Sequence, residues 1–163
     1  MGAGKTTVGP YVSAALNWNF VDTDQWIEKH SGKSVSQIFE SDGELAFREW
    51  ERRAISELCR QVGSVVALGG GALMAEENRQ NILKSGMLVY LRASVTSLLK
   101  RISTVDRPLL KSYRGPELEK HVSSLIQLRE PHYRLASVTV NTDGKPPKEI
   151  GQEILSEVSQ WKK

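Results

Sequence analysis

Met1-Gly2-Ala3-Gly4-Lys5-Thr6-Thr7 opens the chain, and it reads as most of a phosphate-binding loop. The full pattern is G-x-x-x-x-G-K-[ST], and Gly4, Lys5 and Thr6 supply its last positions. Glycines in such a loop let successive backbone N–H groups turn towards phosphate oxygens at a helix N-terminus. Lys5 then reaches the β- and γ-phosphates, and the Thr6 hydroxyl ligates Mg²⁺. The competing reading is a flexible Gly-Ala-Gly leader before an ordinary helix. Counted back from Gly4, the pattern's first glycine falls one residue before Met1, and the apolar strand that normally delivers the loop is missing. The expectation is therefore an N-terminally truncated phosphotransferase domain.

Outward from the loop, helical and strand patterns alternate. Val8, Tyr11, Val12, Ala15 and Leu16 fall at helical spacing, with Pro10 inside that helix. Trp18 to Val21 reads as a short strand ending at Asp22-Thr23-Asp24, and Ser34 with Gln37 forms a capping box. The clearest helix spans about Gly43 to Val62, with Phe47, Trp50, Ala54, Ile55, Leu58, Cys59 and Val62 as its buried stripe. Val65 to Leu68 is an apolar run expected to be a strand buried on both faces, ending in Gly69-Gly70-Gly71. Further helices are expected at Glu76 to Lys84, Ser94 to Ile102, Glu117 to Leu135 and Pro147 to Trp161, with strands at Leu88 to Leu91 and Val138 to Val140. Residues 103–116 are polar and irregular, a candidate mobile loop. The order is βαβα with its first strand absent. It predicts a single three-layer α/β/α domain over 1–163 whose parallel sheet gathers ligands at the C-terminal ends of its strands.

Composition sets outer limits. A chain of 163 residues can bury a core without staples. The 22 basic and 19 acidic residues leave a net charge of +3, scattered along the chain, which makes no case for nucleic acid and suits a small anionic substrate. Cys59 is the single cysteine and excludes an internal disulfide. No apolar run approaches the length of a membrane span, and no signal-peptide pattern precedes Gly2. A soluble, cytoplasmic, monomeric protein is the default expectation.

Three polar constellations follow the expected strands. In Asp22-Thr23-Asp24, Asp22 can hold Mg²⁺ through water while Asp24 accepts a hydrogen bond from a substrate hydroxyl; alternatively Asp24 caps the following helix, the reading favoured by the tripeptide alone. Three successive glycines permit close approach of a ligand to the main chain, or tight helix–strand packing. Arg107 in the irregular loop, Arg48 beside the apolar stripe and Arg129 before Glu130-Pro131 suit phosphoryl or carboxylate groups through their planar fork, although a single arginine is more often a solvated surface residue.

Taken in order, Gly-Ala-Gly-Lys-Thr-Thr, Asp-Thr-Asp, Gly43-Glu44 with Phe47-Arg48, Gly-Gly-Gly, Arg107-Pro108-Leu109-Leu110 and Arg129 with Pro131 and Tyr133 make the chain resemble shikimate kinase over essentially its whole length. That resemblance implies transfer of the ATP γ-phosphoryl group to the 3-hydroxyl of shikimate, with Mg²⁺, in the pathway to chorismate. It also implies a fold like that of nucleoside monophosphate kinases, with sheet order 2-3-1-4-5, the first strand missing here, and a mobile lid at about 103–116. Asp24 would contact the shikimate hydroxyls and serve as candidate base. Arg48 and Arg129 would clamp the carboxylate, with Gly70 and Gly71 completing that pocket. Gly2, Ala3, Gly4, Lys5, Thr6 and Thr7 would hold the ATP phosphates, and Arg107 would be the lid arginine. Arg101 and Lys145 would flank the adenine, Thr6 and Asp22 the metal, and His121 and His132 would stay peripheral. A gluconate kinase-like enzyme and a non-catalytic relative remain as alternatives.

Overall fold

The computed structural model describes residues 2–102, 110 and 112–161. Its elements alternate as the sequence pattern predicts: α1 (Lys5–Leu16), β1 (Asn19–Asp22), α2 (Thr23–Ser31), α3 (Val35–Ser41), α4 (Gly43–Leu58), β2 (Ser64–Ala67), α5 (Glu76–Ser85), β3 (Val89–Arg92), α6 (Val95–Arg101), α7 (Gly115–Tyr133), β4 (Val138–Asn141) and α8 (Pro147–Gln160). Both strand pairings among the described residues are parallel. β1 runs beside β2 with Asp22 opposite Ala67, and β3 beside β4 with Arg92 opposite Asn141. Among the described residues these are two separate pairs rather than one continuous sheet.

One apolar cluster holds both pairs to the same helical layer. Val8 and Val12 of α1 and Ile150 and Ile154 of α8 pack with Val140, and Val65, Val89, Leu91 and Val138 lean on them. The α1–α8 contact is close because Gly151 has no side chain: a Cβ there would lie 2.3 Å from the Tyr11 ring. A second cluster, Ile27, Ile38, Phe47 and Ala54, joins α2, α3 and α4. These layers bring the C-terminal ends of β1 and β2 to the N-terminus of α1, which is where a parallel α/β architecture collects its ligand-binding groups.

Several local expectations are met for the physical reasons that raised them. Ser34 accepts from the Gln37 N–H at 3.2 Å while Gln37 Oε1 accepts from the Ser34 N–H at 2.8 Å, completing the capping box. Pro10 stays within α1 on an exposed face, where its missing N–H deprives only the Thr6 carbonyl.

Others are corrected. Asp22, not Asp24, caps α2: the strand runs one residue further than its apolar part, so Asp22 has the extended backbone of an N-cap and accepts the Asp24 N–H at 2.9 Å. Val62 is 97% exposed, because α4 stops at Leu58 and the chain turns away through Gly63, whose φ is 69°. Ala15 is exposed on α1. In β2 only Ala67 is fully buried, since this strand has a neighbour on one side alone among the described residues.

Candidate functional site

At the start of α1, Gly4 is the N-cap and lies in the left-handed region at φ 95°, with Gly2 at φ 65°. No side chain caps α1. The helix therefore begins on glycine geometry with its positive dipole end towards the strand termini, an arrangement that favours an anion. Lys5 is the first helical residue, and Thr6 and Thr7 are exposed beside it. The Thr6 hydroxyl donates to Asp22 Oδ2 at 3.2 Å. These two side chains form an oxygen pair at the mouth of the loop, the hard donor type that Mg²⁺ takes while keeping several waters. The donor chemistry fits the ion.

Around the triple glycine, absent side chains allow close approach. A Cβ on Gly69 would sit 3.1 Å from Glu51 Oε1 and 3.2 Å from Asp24 Oδ1. One on Gly71 would sit 2.6 Å from Arg48 Nη1. The glycines thus let two carboxylates and a guanidinium gather against the main chain. The Gly69 N–H donates to the buried Thr23 hydroxyl at 2.8 Å, and the Gly70 carbonyl accepts from Tyr133 at 2.6 Å.

Arg48 is fixed by two carboxylates on its own helix. Its Nη2 donates to Glu44 at 2.8 Å and its Nη1 to Glu51 at 3.0 Å. Burial acts to lower the pKa of Arg48, but Glu44 and Glu51 outweigh it and hold the value above its ordinary range. Burial pushes the Glu51 carboxyl above its ordinary value; Arg48 opposes that rise, while the nearby Asp24 carboxylate adds to it. Arg129 of α7 is 8% exposed, an unusual depth for an arginine and one that calls for a partner. Burial likewise raises the Tyr133 phenol above its ordinary value, with the Arg129 guanidinium pulling the other way. A cavity of about 100 Å³ is lined by Lys5, Gly69, Gly70, Arg129 and Tyr133 together with apolar side chains that include Leu68, Leu88, Tyr90 and Leu91.

The expected residues therefore divide. Lys5, Gly70 and Arg129 line one cavity. Arg48, Gly71 and Asp24 adjoin it through Glu51 and Gly69, and Thr6 meets Asp22 at the loop. Arg101 and Lys145 lie elsewhere: Arg101 donates to the Thr142 hydroxyl and carbonyl at 3.2 and 3.0 Å, and Lys145 pairs with Glu153 at 2.5 Å. Arg107 is outside the described residues, as is the whole of 103–109 around it. His121 stacks on Tyr113 with centroids 4.0 Å apart, away from the cavity. Among the described residues no cluster of three or more His, Cys, Asp or Glu could hold a metal, so the Thr6–Asp22 pair stands as the candidate. No helix among them is long and apolar enough to cross a membrane.

Sequence reasoning missed Glu51 and Thr23. The signal for Glu51 was present: it lies four residues after Phe47 and three before Ala54, on the buried face of α4. An acidic residue in an apolar stripe implies a cationic partner.

Residues 1–159 match the protein family described as shikimate kinase. A shikimate kinase of Caldanaerobacter subterraneus subsp. tengcongensis is 40% identical over 156 residues, covering 95% of this chain and 90% of the relative. One from Pseudomonas aeruginosa (strain LESB58) is 42% identical over 157 residues, again covering 95% and 90%. Among solved structures, shikimate kinase from Acinetobacter baumannii in complex with shikimate superposes with a TM-score of 0.92 at 35% identity, covering 98% of this chain and 89% of that one.

Proposed function

The chain belongs to the shikimate kinase family, and from that membership we propose that it transfers the γ-phosphoryl group of ATP to the 3-hydroxyl of shikimate. The observation that carries this reading is the shared cavity: the loop lysine Lys5 and the buried Arg129 line the same space, beside the backbone of Gly69 and Gly70. A cation for phosphate and a guanidinium for carboxylate, both lining one small cavity, suit a substrate that is both acid and phosphoryl acceptor.

In this account the α1 N-terminus and Lys5 take the ATP phosphates, with Gly2, Ala3, Gly4, Thr6 and Thr7 completing the loop. Thr6 and Asp22 would hold Mg²⁺, which when bound neutralises charge on the β- and γ-phosphate oxygens. Arg48 and Arg129 bind the shikimate carboxylate, and Gly70 and Gly71 let the ring approach the main chain. Asp24 orients the acceptor hydroxyl and serves as base second, because in a loose transition state the proton can leave late. Arg107 stabilises charge on the transferring group from a lid at about 103–116, whose closure excludes water. Arg101 and Lys145 flank the adenine. The parallel pairings β1–β2 and β3–β4 support a sheet order of 2-3-1-4-5 in the family's strand numbering. The domain acts as one unit and as a monomer.

Initial-rate measurement of ADP release with shikimate, with gluconate and with no acceptor tests this reading. ADP release that requires shikimate supports it. Release with gluconate, or none above background in the presence of bound ATP, contradicts it in favour of a different acceptor or a non-catalytic relative.

A further inference from the structure

The Gly69–Gly70 span is held from both ends by side chains with no role so far. Thr23, with no exposed surface, accepts the Gly69 N–H at 2.8 Å. Tyr133 donates its O–H to the Gly70 carbonyl at 2.6 Å. Two consecutive glycines explore more backbone conformations than any other pair, so this span cannot fix itself. Neither can a side chain of its own do so, because the Gly69 Cβ position is crowded by the Glu51 and Asp24 carboxylates.

The two clamps are also joined to the groups that would touch substrate. Thr23 immediately precedes Asp24 in the first turn of α2, and Tyr133 follows Arg129 by one turn of α7. The Tyr133 ring is itself set by Tyr90, with centroids 4.9 Å apart, and the Tyr90 hydroxyl is committed to Glu130 at 2.8 Å. We propose that Thr23 and Tyr133 are positioning residues of the acceptor site, which fix the Gly69–Gly70 backbone between them and so set the spacing between Asp24 and Arg129. This rests on the reading of Asp24 and Arg129 as acceptor-binding residues given above.

The test compares wild type with Tyr133→Phe, Thr23→Val, Thr23→Ser and the Thr23→Val/Tyr133→Phe double variant, varying shikimate and ATP independently and recording the melting temperature of each. Loss of one neutral hydrogen bond to the span should raise the shikimate KM about three- to tenfold in Tyr133→Phe and in Thr23→Val. The ATP KM should stay within about twofold, because the phosphate loop is untouched. Thr23→Ser, which keeps the hydroxyl, should restore the wild-type shikimate KM. The double variant should fall well short of the product of the two single effects, since one lost clamp already frees the span. Should Thr23→Val not fold, Tyr133→Phe and Thr23→Ser carry the test. Unchanged shikimate KM in Tyr133→Phe, or parallel changes in both KM values that follow the melting temperature, would overturn the proposal while leaving the shikimate reading intact. Absence of shikimate-dependent turnover in wild type would overturn the reading and the proposal together.

Discussion

The carboxylate of Glu51, 2% exposed, lies 3.0 Å from the guanidinium of Arg48, and Arg48 in turn fills the space that a side chain on Gly71 would need. A buried acid is thus used to aim an arginine that remains partly open to solvent. Removing the charge at Glu51 frees Arg48 to follow Glu44, its more exposed partner. Glu51→Gln should therefore raise the shikimate KM by about tenfold or more, the scale of a hydrogen bond to a charged group, with a smaller effect on the ATP KM. Steady-state kinetics with each substrate varied check this.

The same residue makes a pH prediction. Burial holds the folded-state pKa of Glu51 above its ordinary value. Such a group contributes stability that is full below its unfolded pKa and is lost as pH rises through the folded one. The stability of wild type relative to Glu51→Gln should accordingly decline with rising pH across that interval. Asp42, held low by the hydrogen bond from Lys33, and Asp143, held low by Ser97, act oppositely: their contributions are lost as pH falls below the ordinary aspartate range. Melting temperatures of both proteins between about pH 4 and 7 would reveal the decline.

Two glycine substitutions should separate site from scaffold. Gly71→Ala places a Cβ 2.6 Å from Arg48 Nη1, the movable end of a long side chain. The arginine yields, the fold survives, and the shikimate KM rises. Gly9→Ala places a Cβ 2.2 Å from the Phe20 ring, which β1 carries against α1. Overpacking there should cost about 1–3 kcal/mol of stability. Thermal melts and kinetics on both variants distinguish the two outcomes.

At the phosphate loop, Lys5→Met removes the cation at the first turn of α1 and should lower kcat by about 10²–10³, the scale of losing one preorganised transition-state donor. Its shikimate affinity should stay near that of wild type. Asp22→Asn should instead raise the Mg²⁺ concentration needed for half-maximal rate while leaving the α2 cap nearly intact, because asparagine keeps the Oδ1 that accepts the Asp24 N–H. A magnesium titration of the rate, beside a thermal melt, checks both effects.

Much of this organisation was legible in the sequence because the signals were local. Ser34 and Gln37 announce a capping box by spacing alone, and Gly4-Lys5-Thr6 identify a loop whose glycine takes a positive φ at the start of α1. What escaped depended on contacts distant along the chain. Thr23 reaches Gly69 across 46 residues and Tyr133 reaches Gly70 across 63, and no periodicity encodes either bond. Residue type and position offered Asp24 as the cap, and only the end point of β1 moves that role to Asp22. Val62 continued the helical spacing of α4 after the helix itself had stopped.

The most direct measurement is ³¹P NMR of the products after incubating the chain with ATP, Mg²⁺ and shikimate, beside an Arg129→Met variant. The account predicts a phosphate monoester resonance coupled to the C3 proton of shikimate, growing as ADP forms, and strongly reduced in Arg129→Met at low shikimate. ADP with inorganic phosphate and no ester, or an ester formed equally well without Arg129, would contradict it.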